Sequence, residues 1–369
     1  MIRRIRKWLG FALTAMASLA TQPVLAAPPQ RPSQSQRIVA VGDLHGDFDA
    51  WREIALNARV IDPRNHWAGG KSTLVQLGDI VDREPDSLKI IRNLMALQKE
   101  AARAGGRVVL LVGNHEAMNM TGDLRYVTPG EFAAFATPGS GPLRERVYAA
   151  NKTAIAAPYR ARSPAMTDDA IHANWLAQNP LGKLEHQMAW SPQGELGRWT
   201  IANRAVARIG DTLFVHGGIS VRYAALPLDE INRRVATALK AHDDGPESIL
   251  YDPFGPLWYR GLITRQEDAA NSTPTAGQPA PGQPPAASAA YPSIEDELAI
   301  ALTATGARRM VIAHTPHLAG IVISNGGRLA RIDTGISRYY GGKLSYLEIV
   351  GDQLMPHNFD RSKSPTPVR

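Results

Sequence analysis

Five short apolar runs in this chain each end on a residue type that binds metals. Ile38-Val39-Ala40-Val41 leads through Gly42 to Asp43, Thr73-Leu74-Val75-Gln76-Leu77 through Gly78 to Asp79, and Val108-Val109-Leu110-Leu111-Val112 through Gly113 to Asn114. Leu213-Phe214-Val215 runs directly into His216, and Met310-Val311-Ile312-Ala313 into His314. Runs this short, rich in β-branched residues and polar only at their ends, read as buried strands of an α/β fold, whose ligands sit at the strands' C-terminal edge. All five end residues are therefore predicted on one rim.

Between the strands the period changes to that of a helix. Residues 48–58 place Trp51, Ile54, Ala55 and Ala58 on one face, and residues 86–104 place Leu88, Ile91, Leu94 and Met95 on another before Gly105. Ser293-Ile294-Glu295-Asp296 has the pattern of a capping box and predicts a helix stopping at Gly306. Strands alternating with helices imply sheet covered on both faces.

Two stretches interrupt this plan. Residues 117–200 separate neighbouring motifs by far more than a connection needs, which predicts a helical cap over the rim, with Tyr126, Trp175 and Trp190 available to line it or to form its own core. Residues 266–292 are low in complexity and rich in Pro, Ala, Gly and Gln, the composition of a loop inserted in the folded region 37–352. Residues 353–369 are polar and read as a frayed tail.

The chain opens with a basic Arg3-Arg4-Ile5-Arg6-Lys7, an apolar stretch too short to span a membrane, and Val24-Leu25-Ala26 before Ala27. That order describes a cleavable secretory signal, residues 1–26, and predicts a periplasmic or secreted protein without a lasting membrane anchor. The paired arginines raise a twin-arginine route as a minor alternative, although the residues that follow fit that pattern poorly. Residues 27–36, rich in Pro, Gln and Ser, read as a disordered leader. The formal charge of +7 overstates the processed chain, because four basic residues and no acidic one lie in the signal; no nucleic-acid partner is expected. There is no cysteine, which excludes disulfides and thiolate metal sites.

Imidazole, carboxylate and amide oxygen suit borderline or hard divalent ions, here manganese, iron or zinc. A shared carboxylate holds two such ions about 3.5–4 Å apart, the spacing used for in-line attack on phosphorus; Asp79 is the candidate bridge. Any one Asp or Asn after a strand is more often a turn or cap. Five in one ordered set argue for a site.

The ordered set Gly42-Asp43-Leu44-His45-Gly46-Asp47, Gly78-Asp79-Ile80-Val81-Asp82-Arg83, Gly113-Asn114-His115-Glu116, His216-Gly217-Gly218 and Ala313-His314-Thr315 resembles the signature of the phosphoprotein phosphatase group of calcineurin-like metallophosphatases. The continuation from Gly113 to Val127, and Ile332-Asp333-Thr334-Gly335-Ile336-Ser337, is most similar to the Shewanella-like protein phosphatases. The resemblance spans about residues 37–350 and implies two mixed β-sheets flanked by helices. It implies Asp43, His45 and Asp79 as ligands of one metal, and Asp79, Asn114, His216 and His314 as ligands of a second. It further implies His115 as proton donor to the leaving group, Asp82 as the carboxylate orienting it, and Arg83 as a bidentate phosphate clamp.

Glu84 departs from the glycine usual in this motif, so it either points away from Arg83 or tunes it. Arg260 is a candidate second clamp, weighed evenly against an arginine packed beside Trp258; Asp333 and Tyr339 are weaker candidates, with turn stabilisation the expected role of Asp333. The function expected is an exported two-metal phosphomonoesterase, a protein phosphatase on phosphotyrosine or phosphoserine/threonine. The alternatives are a dinucleoside polyphosphate hydrolase, and a non-catalytic metal- or phosphate-binding relative.

Overall fold

The computed structural model describes residues 37–264 and 292–361; the expected signal, the leader, the low-complexity segment but for Pro292, and residues 362–369 lie outside them. All five expected strands form, and each is short because its apolar run is short. β1 (Ile38–Val41), β2 (Thr73–Gln76) and β3 (Arg107–Leu110) run parallel, in the order β1-β2-β3. Beside β1 lies β9 (Leu344–Val350), antiparallel to it, and then β10 (Gln353–Phe359), antiparallel to β9, giving one five-stranded sheet. The second sheet has the order β4-β5-β6-β8-β7, from β4 (Val206–Ile209), β5 (Thr212–Val215), β6 (Arg309–Ile312), β7 (Val322–Ser324) and β8 (Leu329–Arg331). Both sheets are mixed, so the fold is the two-sheet α/β sandwich expected.

Alternation along the strands builds three layers. Ile38, Ala40, Val75 and Leu77 from the first sheet meet Phe214, Val311 and Ala330 from the second in a shared core. Val39, Val41 and Leu74 face outward onto α1 (Phe48–Asn57) and α2 (Ser87–Arg103), while Met310 and Ile312 face the helix Ile294–Thr305. The helix ends follow their sequence signals: Ser293 Oγ accepts from Asp296 N at 3.1 Å, and Gly306 closes with φ +64°. In α2 the buried face is Ile90, Ile91, Leu94 and Leu97, so the stripe is rotated slightly from the one expected.

The long insertion is helical, as expected. After α3 (Asn114–Thr121) come α4 (Pro129–Ala133), α5 (Ser140–Arg162), α6 (Asp168–Gln178), α7 (Lys183–Trp190) and α8 (Glu195–Ala202).

The tail expectation needs correction. Residues 353–359 form β10, paired with β9 from Gln353 opposite Val350 to Phe359 opposite Leu344. Its polar composition marks an edge strand with one wet side, where Pro356 costs little because its missing N–H faces no partner strand. Among the described residues no helix is long and apolar enough to cross a membrane.

Candidate metal centre and active site

The strand ends converge on Asp79. Its backbone sits at φ +53° and its carboxylate lies among the other strand-end residues: Oδ1 accepts from His115 N at 2.9 Å, and Oδ2 lies 3.3 Å from His216 Nε2 and 3.9 Å from both His45 Nε2 and His115 Nε2. His216 Nε2 is also 3.0 Å from Asn114 Oδ1. Asp43 places Oδ2 3.8 Å from His45 Nε2, and its Oδ1 accepts from His314 N at 3.4 Å. The six expected ligands are thus brought together from both sheets, all of them buried.

The donor atoms are set for a cation. A backbone carbonyl only accepts, so Leu77 O, 2.8 Å from His216 Nδ1, and Val81 O, 3.0 Å from His45 Nδ1, fix the proton on Nδ1 and leave both Nε2 lone pairs facing inward. Nε2 of His314 is buried without a hydrogen-bond partner. Burial, then the nearby His115, lowers the His45 pKa to about 3, and burial followed by Arg260 takes His314 well below its usual value, so both rings are neutral as ligation requires. Burial, with Asp333 and Asp79 adding repulsion, pushes the Asp43 carboxyl up. Crowded carboxylates, inward lone pairs and an orphaned imidazole nitrogen are what divalent cations relieve, so the residues fit such ions. Two triads already have ligand atoms within 4.8 Å of one another: His45, Asp79 and His115, and Asp79, His216 and His314.

His115 has a second anchor. Its Nδ1 lies 2.5 Å from Asp82 Oδ2, and Asn119 Nδ2 donates to Asp82 Oδ1 at 2.9 Å. Burial disfavours the imidazolium, but the charges of Asp79 and Asp82 outweigh it and raise the pKa. Asp82 and Arg83 both adopt positive φ, +70° and +73°. The Arg83 guanidinium lies 3.9 Å from the ring centre of Tyr126 and 4.6 Å from that of Tyr339, and donates to Tyr339 Oη at 3.0 Å. Glu84 does not pair with it; its charged neighbours are Asp47, Arg338 and Arg361. Arg260 lies beside the centre, donating to Thr315 Oγ1 at 3.0 Å and His314 O at 3.3 Å, with Asp43, Asp333 and Asp79 as its nearest acids. Asp333 performs the expected turn role, Oδ1 accepting from Gly335 N at 2.9 Å.

Of the two roles expected for the insertion's aromatics, lining the site falls to one of the three. Tyr126 stands 5.0 Å from His115 between ring centres, but Trp190 is buried in the main core and Trp175 packs on Tyr148. Trp175 belongs to the packing of the insertion, Trp190 ties the insertion to the main core, and the wall is completed by Tyr339 and by Tyr340, which is 5.3 Å from His45. Sequence reading passed over Tyr340. It also gave no role to Glu116, whose carboxylate accepts from Asp79 N at 2.9 Å, Ile80 N at 2.7 Å and Gly113 N at 2.8 Å, binding two ligand loops together. Its place three residues after the helix cap Gly113 was the available signal.

The model of the calcineurin-like phosphoesterase family matches residues 36–317, which contain every ligand named above. The chain belongs to that family. This phosphoesterase is 31% identical to Shewanella-like protein phosphatase 2 of Arabidopsis thaliana over 82% of its own length and 72% of the relative's. It is 30% identical to an uncharacterized protein of Schizosaccharomyces pombe over 85% and 76%. A solved cold-active protein tyrosine phosphatase superposes with a TM-score of 0.59 at 25% identity, covering 88% of this chain and 77% of that one; the protein-tyrosine phosphatase of a psychrophilic Shewanella species gives 0.58 at 23%, over 88% and 81%. It is a metal-dependent phosphoesterase of the metallophosphatase type.

Proposed function

We propose that this metallophosphatase is an exported protein phosphatase with a dinuclear centre, and that it prefers phosphotyrosine. Asp43, His45 and Asp79 would hold one divalent ion, manganese, iron or zinc, and Asp79, Asn114, His216 and His314 the other. Such ions, when bound, supply positive charge for phosphoryl oxygens and lower the pKa of a water.

The chain's own residues do the rest. Arg83 grips phosphate oxygens; Arg260, held by His314 O and Thr315 Oγ1 on the same rim, is a second clamp. His115, held through Nδ1 by Asp82, presents Nε2 toward the reacting phosphate and gives its proton to the departing oxygen. The observation that carries the substrate preference is the cluster of Tyr126, Tyr339 and Tyr340 around Arg83: an aryl phosphate gripped there brings its ring against tyrosine rings, with ring contacts worth about 0.5–1.5 kcal/mol. The name of the cold-active protein tyrosine phosphatase that is 25% identical supports the same reading. Export rests on the order of basic, apolar and small residues in the first 26 positions.

The test uses purified processed protein, stripped with chelator and reloaded with one metal at a time. Matched phosphotyrosine and phosphothreonine peptides are compared by kcat/KM, with Tyr126→Ala beside the wild type. A phosphotyrosine preference that shrinks in Tyr126→Ala supports the pocket; equal rates, or a preference unchanged by Tyr126→Ala, overturn it. Intact mass after export should begin at Ala27.

A further inference from the structure

The insertion touches the catalytic loop at its most constrained point. Asp82 and Arg83 are consecutive non-glycine residues with positive φ, and both of their backbone N–H groups are taken up by the segment that enters α4. Arg83 N donates to Tyr126 O at 3.1 Å, and Asp82 N donates to Glu131 Oε1 at 3.0 Å. Glu131 is itself buried and pinned from two sides: Oε2 accepts from Thr128 N at 2.7 Å in a capping box, and Oε1 accepts from Ser87 Oγ. The approach is close, for a Cβ on Gly130 would stand 2.5 Å from Pro85 Cβ. A buried carboxylate aimed at the N–H of the residue that orients His115 exceeds what capping a five-residue helix requires.

We infer that Glu131 is a positioning residue, through which the insertion holds Asp82 and Arg83 in the conformation that aims His115 and the phosphate clamp. The inference rests on the proposed roles of Asp82 and His115. Without Glu131, Asp82 N loses its acceptor other than Ser87 Oγ, 3.2 Å away, the dipeptide relaxes toward negative φ, and the Asp82 carboxylate leaves the His115 ring. Proton donation then fails before metal binding does, because the hydrogen bonds of Glu131 go to Asp82, Ser87 and Thr128, none of them a candidate ligand.

Two substrates with the same ring separate that role from general destabilisation: phenyl phosphate, whose leaving group needs the proton, and p-nitrophenyl phosphate, whose leaving group needs it far less. In Glu131→Ala, kcat for phenyl phosphate should fall about 10–100-fold and for p-nitrophenyl phosphate several-fold less, with bound metal near two per chain. In an Asp82→Ala background the same change should cost at most about threefold more, since neighbours acting as a unit are not additive. Glu131→Gln, which keeps the shape and one acceptor, should recover part of the loss and serves where the alanine variant folds poorly. Equal losses on both substrates, or full additivity with Asp82→Ala, would overturn the inference. If Asp82→Ala and His115→Asn themselves left the substrate ratio unchanged, the proton-donor reading would fail and take the inference with it; if they changed it and neither Glu131 variant did, only the inference would fail.

Discussion

Asp79 Oδ2 is equidistant, at 3.9 Å, from Nε2 of His45 and Nε2 of His115, yet only the His115 ring is tied at its other nitrogen to a carboxylate. The His45 ring is tied to a backbone carbonyl. The first arrangement favours a ring that carries a proton, the second a neutral ligand.

That difference separates two substitutions. Asp79→Asn should lower metal content by both ions and abolish turnover. His115→Asn should keep metal content near normal and reduce kcat by about 10²–10⁴, least for p-nitrophenyl phosphate. Elemental analysis beside kinetics checks both; loss of metal in His115→Asn would make it a ligand.

Arg83→Lys should weaken substrate and inorganic phosphate alike. Lysine keeps the charge but loses the planar fork and the stacking on Tyr126 and Tyr339, so kcat/KM should fall about 10–100-fold, the range of a lost charged hydrogen bond at 1.4 kcal/mol per decade. An unchanged inhibition constant for phosphate would remove Arg83 from the clamp.

Acid should loosen the insertion first. His186 is buried between Phe132 and Phe135, ring centres 5.3 and 5.1 Å away, and burial, with Lys183 adding to it, lowers its pKa to about 4 from 6.5. Below pH 6.5 the unfolded chain takes a proton that the folded chain refuses until about pH 4, so stability is present above pH 6.5 and drains away through that window, by roughly 3 kcal/mol at most. Urea midpoints at pH 7 and 5 should fall together less steeply in His186→Leu; parallel slopes would show the ring is accessible.

Ending the chain at Asp352 should destabilise it, although its last stretch reads as dispensable. The cut bares β9 as an edge and removes Arg361, which donates to the buried Asp47 at 2.8 Å and to Ile336 O at 2.9 Å. Arg361→Ala alone should cost about 1–3 kcal/mol, because the Asp47 carboxylate loses a partner while staying buried. Thermal unfolding of both variants is the measurement, and an unchanged midpoint would restore the tail reading.

The strands were legible because each is buried on both faces, which makes a continuous apolar run, and the ligands were legible because each ends such a run. Caps at Ser293 and Gly306 were equally local. What escaped depends on docking: nothing near Trp190 in sequence says that it enters the main core, and nothing near Tyr340 says that it comes to rest beside His45, almost three hundred positions earlier. β10 was hidden because an edge strand with a proline looks like a tail.

His45, Asp79, Asp82, Arg83 and His314 all hold positive φ. Each such conformation costs on the order of 1–3 kcal/mol, less for Asp and His than for Arg. The centre is therefore a standing load on the fold, and Arg83→Gly would stabilise the chain while disabling it. Selection for thermostability alone, blind to turnover, would drift toward glycine at that position, and a relative bearing such changes would be firmer than this enzyme and inert.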